Sequence, residues 1–148
     1  MYILTSEEMQ RAEARAVARG TTMNELMRMA GEALARLVLR HASPAGKRVL
    51  VLAGKGNNGG DGFVCARILQ AHGAQVTIAL VQGGVKTPLA ARAFLTVPEE
   101  VPVLYTVEDA MAEAAESDII VDAIFGFGFR GAPPEDISAL IKAVSAFP

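Results

Sequence analysis

Four short runs constrain this chain more than anything else in it: RVLVLA (48–53), QVTIAL (75–80), VPVLY (101–105) and DIIVDA (118–123). Each is rich in β-branched residues and nearly continuously apolar. Strands of that kind bury both faces, the condition of a parallel sheet covered by helices on either side. Helical pattern fills the intervals. One segment is expected at 61–72. A second is opened by Thr87 as N-cap and Pro88 in the first turn, a third runs over 107–116 behind Thr106, and a fourth over 135–146 behind Pro133 and Pro134. Two helices precede the first strand. TSEEMQRAEARAVARG pairs Thr5 with Glu8 as a capping box and has Gly20 as its stop, and TTMNELMRMAGEALARLVLRH repeats the box with Thr22 and Glu25. The order α-α-β-α-β-α-β-α-β-α argues an open, mostly parallel α/β sheet.

In the second helix Met23, Leu26, Met27, Ala30, Leu34, Leu37 and Val38 recur at spacings of three and four, which makes one apolar stripe for a core or for a subunit interface. A chain of 148 residues, 51% of them hydrophobic, is long enough for one domain over 1–148 with a sizeable core. The formal net charge is -2 and no lysine–arginine run is present, so nucleic acid is not indicated as a partner. Cys65 is the one cysteine, which excludes an intrachain disulfide, offers no set of thiolates for a structural zinc site and suits a reducing, cytoplasmic setting. The first residues carry acids early and lack the apolar core of a signal peptide. No run of about 18 apolar residues exists, so no membrane span is expected.

With the usual strand order 3-2-1-4, the first and fourth strands are neighbours and the chain leaves them in opposite directions, opening a crevice at their carboxyl ends. The first strand delivers GKGNNGGDG (54–62) to that crevice and the fourth delivers DAIFGFGFRG (122–131). Gly54 to Gly59 matches G-x-G-x-x-G, but the second strand ends in VQGGVK, without the acid a dinucleotide fold uses to hold a ribose. The triphosphate loop fails too, because Gly60 and Asp61 stand where its lysine and hydroxyl belong. Asp61, placed where the next helix is expected to begin, serves as an N-cap, a site residue or both, and it repels a phosphate set close by. A mixed site remains: glycine-rich backbone offering N–H groups, amides from Asn57 and Asn58, and a carboxylate from Asp122. Asn58 and Asp122 together are hard oxygen donors suited to a hard cation. The same asparagines also serve as turn formers, and Asp122 as an acceptor of loop N–H groups.

VLAGKGNNGGDGFVCARIL together with DIIVDAIFGFGFRG resembles the YjeF N-terminal domain family, and MQRAEARAVARG and LMRMAGEALA are similar to that family's entry helices. The resemblance covers essentially the whole chain. It implies a Rossmann-like three-layer α/β/α sandwich, commonly a homodimer. It implies NAD(P)H-hydrate epimerase activity: interconversion of the R and S forms of NADHX and NADPHX, so that an S-specific dehydratase repairs both. Substrate contacts carry over to Asn57, Asn58, Gly59, Gly60 and Asp61, and to Gly126, Phe127, Gly128, Phe129, Arg130, Gly131 and Ala132. A potassium ion is implied, with Asn58 and Asp122 matching two of its ligands.

The family continues into a further strand ending in D-x-P-S-G, and no such string occurs before Pro148. A C-terminal strand is therefore expected to be missing from this chain, leaving the fourth strand at a sheet edge. Two other roles stay open on that account: an inactive binding module, and the first part of a bifunctional epimerase and dehydratase. Epimerisation at C6 of the ring needs the carbon–oxygen bond to break and re-form on the other face, work for a carboxyl group. Asp122 is the first candidate and Asp61 the second, with the D-x-P-S-G aspartate as a third that would leave Asp122 to the ion. Arg130 is either a phosphate partner or a solvated loop charge. His41 and His72, at helix ends, read as carbonyl caps, and Cys65 as a packed small hydrophobe.

Overall fold

The computed structural model describes residues 3–147. Helices α1 (Ser6–Ala18) and α2 (Met23–Ala42) open the chain, each on a complete capping box, Thr5 with Glu8 and Thr22 with Glu25. Then come β1 (Arg48–Ala53), α3 (Asn57–Ala71), β2 (Gln75–Leu80), α4 (Pro88–Leu95), β3 (Val103–Leu104), α5 (Val107–Ala115), β4 (Ile119–Ala123) and α6 (Glu135–Ser145). The four strands form one parallel sheet in the order β3-β2-β1-β4. Helices α2, α3 and α4 cover one face, around Met27, Val51, Phe63 and Leu69. Helices α5 and α6 cover the other, around Leu50, Leu52, Ala110 and Leu140. This is the three-layer arrangement. Phe63, Leu50, Leu52 and Leu140 are fully buried, and side chains of that size stabilise a fold by roughly 1.5–3 kcal/mol each.

Three details differ from the sequence reading. The third strand shrinks from 101–105 to two residues, because it lies at a sheet edge and Pro102 has no N–H to give a ladder. The α2 stripe turns toward smaller residues: Met27, Gly31 and Ala35 are buried, while Met23 and Leu37 are 42% and 52% exposed. A β-carbon on Gly31 would lie 2.4 Å from the Val64 side chain, so the close crossing of α2 over α3 depends on the small residue.

The third difference bears on function. Helix α3 starts at Asn57, four residues earlier than expected, with Gly56 as its N-cap. Most of GNNGGDG is therefore helix rather than loop. Gly59 permits it: a β-carbon there would stand 2.1 Å from the Gly54 carbonyl oxygen. Asp61 is consequently not an N-cap but lies in the second turn. On the other side of the molecule's centre, β4 pairs with β1 and, among the described residues, with no other strand. Helix α1 has no fully buried residue and packs through a half-buried stripe of Met9, Ala12, Glu13 and Ala16.

Candidate active site

The carboxyl ends of β1 and β4 are bound together where their loops leave, with the Gly54 N–H donating to the Ala123 carbonyl at 3.0 Å. From there the β1 loop turns into α3. Its Lys55 N–H donates to Gln82 Oε1 at 3.0 Å, and the Lys86 N–H donates back to the Lys55 carbonyl at 2.9 Å, which ties the loop to the end of β2. The loop after β4 closes over the same place, bringing Gly126 against Asn58: a β-carbon on Gly126 would be 3.4 Å from Asn58 Cβ. Between the two loops and α2 lies a cleft of about 660 Å³.

The wall of this cleft has three chemically distinct parts. The first is the start of α3. Gly56 gives no side-chain cap and the first turn holds no acid, so backbone N–H groups and the positive end of the helix dipole face the cleft, the usual setting for an anion. Asn57 and Asn58 line it. Asn57 Oδ1 accepts from the Thr87 hydroxyl at 2.5 Å, and the Thr87 oxygen in turn caps α4 at Ala90 N, so this amide is held in place. The second part is aromatic. Phe125, Phe127 and Phe129 line the cleft, and the Phe125 and Phe129 rings stack with centroids 3.9 Å apart at 21°. The third part is acidic. Asp61 and Glu13 reach the cleft from α3 and α1, beside the apolar Met27 and Ala30 of α2. Burial pushes the Asp61 carboxyl up to about 7, and the neighbouring charge of Glu13 adds to the effect. Asp61 thus titrates near neutrality, as a group that both gives and takes a proton must.

The expected site residues divide accordingly. Asn57, Asn58, Asp61, Gly126, Phe127, Gly128 and Phe129 line one cleft. Gly59 and Gly60 do not; both are buried, Gly59 against Gly54 and Gly60 against Met27. Arg130, Gly131 and Ala132 stand outside it, and the Arg130 guanidinium donates to the carbonyls of Phe127 and Phe129, steadying the turn that carries them. Asp122 is the clearest departure. It pairs with Leu52, whose side chain belongs to the α5/α6 face, so alternation sets it on that face and away from α3. Its Oδ1 accepts from the Ile124 N–H at 3.1 Å, and it does not line the cleft. Of the two oxygen donors expected to share an ion, Asn58 lines the cleft and Asp122 does not. Among the described residues no group of three or more histidine, cysteine or acidic side chains is arranged to hold a metal.

Glu13 and Gln82 went unnoticed in the sequence. Gln82 carries no signal in sequence beyond the absence of an acid at the end of the second strand, and Glu13 sits in a helix that no spacing rule connects to the loops. Cys65 is buried with its thiol pushed up to about 12, which leaves no thiolate for chemistry. His72 Nδ1 lies 2.8 Å from the Ile68 carbonyl at the end of α3, a helix-end contact.

A parallel sheet with helices on both faces and a cleft at its switch point defines a doubly wound α/β domain built to take a small ligand. Residues 23–147 match the family described as YjeF-related protein N-terminus, and the chain belongs to that family. Among curated relatives, the bifunctional NAD(P)H-hydrate repair enzyme Nnr of Escherichia coli (strain K12) is 41% identical over 87% of this chain and 25% of its own length. The NAD(P)H-hydrate epimerase of Neurospora crassa is 39% identical over 84% of this chain and 52% of its own, and that of Plasmodium knowlesi 36% identical over 85% and 43%. The crystal structure of yeast ynu0 superimposes with a TM-score of 0.85 at 29% identity, covering 97% of this chain and 65% of that one. The chain thus spans between about a quarter and a half of the length of these curated relatives. Among the described residues no helix is long and apolar enough to cross a membrane.

Proposed function

We propose that this chain carries NAD(P)H-hydrate epimerase activity, interconverting the R and S forms of NADHX and NADPHX. The observation that carries the reading is Asp61: a half-buried carboxyl group titrating near neutral pH, in a cleft that also presents an uncapped helix N-terminus and a stacked pair of phenylalanines. The relatives named as epimerases point to the same reaction.

In the proposed reaction the nucleotide's phosphate lies at the start of α3, where first-turn N–H groups and the helix dipole hold it. The modified nicotinamide ring lies against the phenylalanine loop. Protonated Asp61 gives its proton to the hydroxyl on C6. The carbon–oxygen bond breaks, water departs, and the ring nitrogen's lone pair stabilises the resulting iminium cation. Water then adds to C6 from the opposite face and returns a proton to the Asp61 carboxylate. Nothing is oxidised or reduced, and the acid is regenerated. Asp61 replaces Asp122 as the first candidate for the proton transfer because it lines the cleft.

Potassium enters none of these steps. An ion held by Asn58 and Asp122 would use Asp122 oxygen lone pairs that the Ile124 N–H leaves open, and a potassium titration tests for it. A dehydratase acting on the S form is the functional partner this chemistry calls for, and the bifunctional relative gives the pairing a precedent.

The experiment is a coupled one. The chain is incubated with R-form NADPH hydrate and an S-specific dehydratase, with and without potassium, and recovery of NADPH is followed. Recovery faster than the spontaneous rate supports the reading. No acceleration by the natively folded protein, with the dehydratase shown to be active on S-form substrate, refutes it.

A further inference from the structure

Helix α1 is amphipathic and has no fully buried residue; Met9, Ala12, Glu13 and Ala16 form one half-buried stripe, with an acid among the small and apolar side chains. Its solvent face carries an ordinary ion pair between Glu7 and Arg11, one turn apart. Glu13 is different: it lines the same cleft as Asp61 and has no ion-pair partner among the described residues. Two carboxyl groups on separate elements thus share one partly apolar cavity. Helix α2 offers only uncharged side chains to it (Met23, Leu26, Met27, Ala30), and the loop after β4 offers only glycine and apolar residues, joined by Pro134 at the start of α6. From the β1 loop Lys55 faces the cleft, yet no cationic side chain lowers the Asp61 carboxyl.

We propose that Glu13 is a positioning residue of this site: its carboxylate, carried by α1 to the wall that Asp61 occupies, keeps the proton on Asp61 and so fixes which carboxyl group serves the substrate. The inference rests on the epimerase reading for the identity of the proton's acceptor, but not for the coupling between the two acids. The physics is that of like charges in a confined space. While Glu13 is ionised, ionising Asp61 would set a second negative charge in the same half-dry cleft, and the proton stays where it prevents that. Removing the charge at position 13 loosens Asp61's hold on its proton. Shortening the acid by one methylene, in Glu13→Asp, preserves much of the effect. On this reading the half-buried face of α1 also delivers a charge to the cleft.

The test reads Asp61 directly. Side-chain carboxyl carbons are titrated by NMR in the wild type and in Glu13→Gln, Glu13→Asp and Glu7→Gln, and the pH profile of epimerisation is measured on the same proteins. In Glu13→Gln the Asp61 midpoint moves down by roughly half a pH unit, the scale of a like-charge interaction across a partly solvated gap. The alkaline limb of the rate profile moves with it, because the acid form of Asp61 is lost earlier. Glu13→Asp restores most of the shift, and Glu7→Gln, on the outer face of the same helix, moves neither. An unmoved Asp61 midpoint in a Glu13→Gln protein whose amide spectrum is otherwise native overturns the inference and leaves the epimerase reading intact. A midpoint that moves in a protein without epimerase activity establishes the coupled pair and overturns the epimerase reading instead.

Discussion

Replacing Asp61 by asparagine should stabilise the protein, and by an amount that depends on pH in a defined way. In the unfolded chain the group titrates near 3.8, and in the folded protein near 7. Between those values the folded state holds a proton that the unfolded state has lost. Stability therefore falls as pH rises through that window, by about 1.4 kcal/mol per pH unit. Below the unfolded value both states are protonated and there is no penalty; above about 7 the penalty is complete. A span of about three pH units corresponds to roughly 4 kcal/mol, and because Asp61 borders an open cleft, water screens part of it, leaving about 2–3 kcal/mol. Asparagine is neutral throughout and nearly the same shape. The difference between D61N and wild type isolates this one group, since every other titrating side chain is common to both. Urea unfolding at several pH values from about 4 to 9 measures it. D61N gains on the wild type steadily up to neutrality and then keeps its lead, equivalent to a Tm difference of roughly 5–10 °C for a chain of this size. A difference independent of pH across that range would mean that the Asp61 carboxylate is solvated normally, and the proposed proton transfer would lose its physical basis. Stability gained by deleting a strained acid, with activity lost, is the exchange expected of a working site.

Gly59→Ala sets a methyl group 2.1 Å from the Gly54 carbonyl oxygen, so α3 must shift from β1, and thermal unfolding should show a loss of at least 2 kcal/mol or a failure to fold. Thr87→Val removes both the α4 cap and the anchor of Asn57, for a cost of about 1–2 kcal/mol in denaturant unfolding and a raised KM for substrate. Phe129→Ala unstacks the ring pair and raises KM more than it lowers kcat, because stacking holds substrate and transition state alike. On the potassium expectation, potassium chloride raises Tm above that in choline chloride, and Asn58→Ala abolishes the rise; equal Tm values in the two salts count against an ion at this site.

Much of the fold was legible because its signals are local or strongly periodic. Both capping boxes fall where the Thr–x–x–Glu spacing puts them, and the first two strands keep their expected limits. The start of α3 was not legible. Two asparagines and two glycines speak against helix by intrinsic preference, and only the sheet beneath them reverses that, since the helix must begin within reach of the Gly54 carbonyl. In α2 the buried seam runs through Gly31 and Ala35, which a search for large apolar residues passes over. The convergence of the two loops followed from strand order alone. The face on which Asp122 lies was within reach of the sequence, because its parity along β4 matches Ile120 and pairs it with Leu52 rather than Val51. Glu13 was beyond reach: nothing local relates α1 to the cleft.

The position of Asp61 along α3 reconciles two demands that conflict for an acid at the helix N-cap. A carboxylate in the first turn would neutralise the helix terminus and repel a phosphate there. Four residues after Asn57, Asp61 stands one turn deeper on the same side of the helix, about 6 Å further along its axis. The terminus keeps its N–H groups for an anion, and the acid meets the apolar side chains of α2, where burial favours its protonated form. A single helix can then present an anion site at its tip and a proton donor one turn below. In the proposed reaction these correspond to a nucleotide's phosphate and a hydroxyl elsewhere on the same molecule. Four consecutive residues without an acid, Asn57 to Gly60, are what separate the two functions, and the glycines among them let that turn press close enough to the sheet and to α2 for Asp61 to be buried at all.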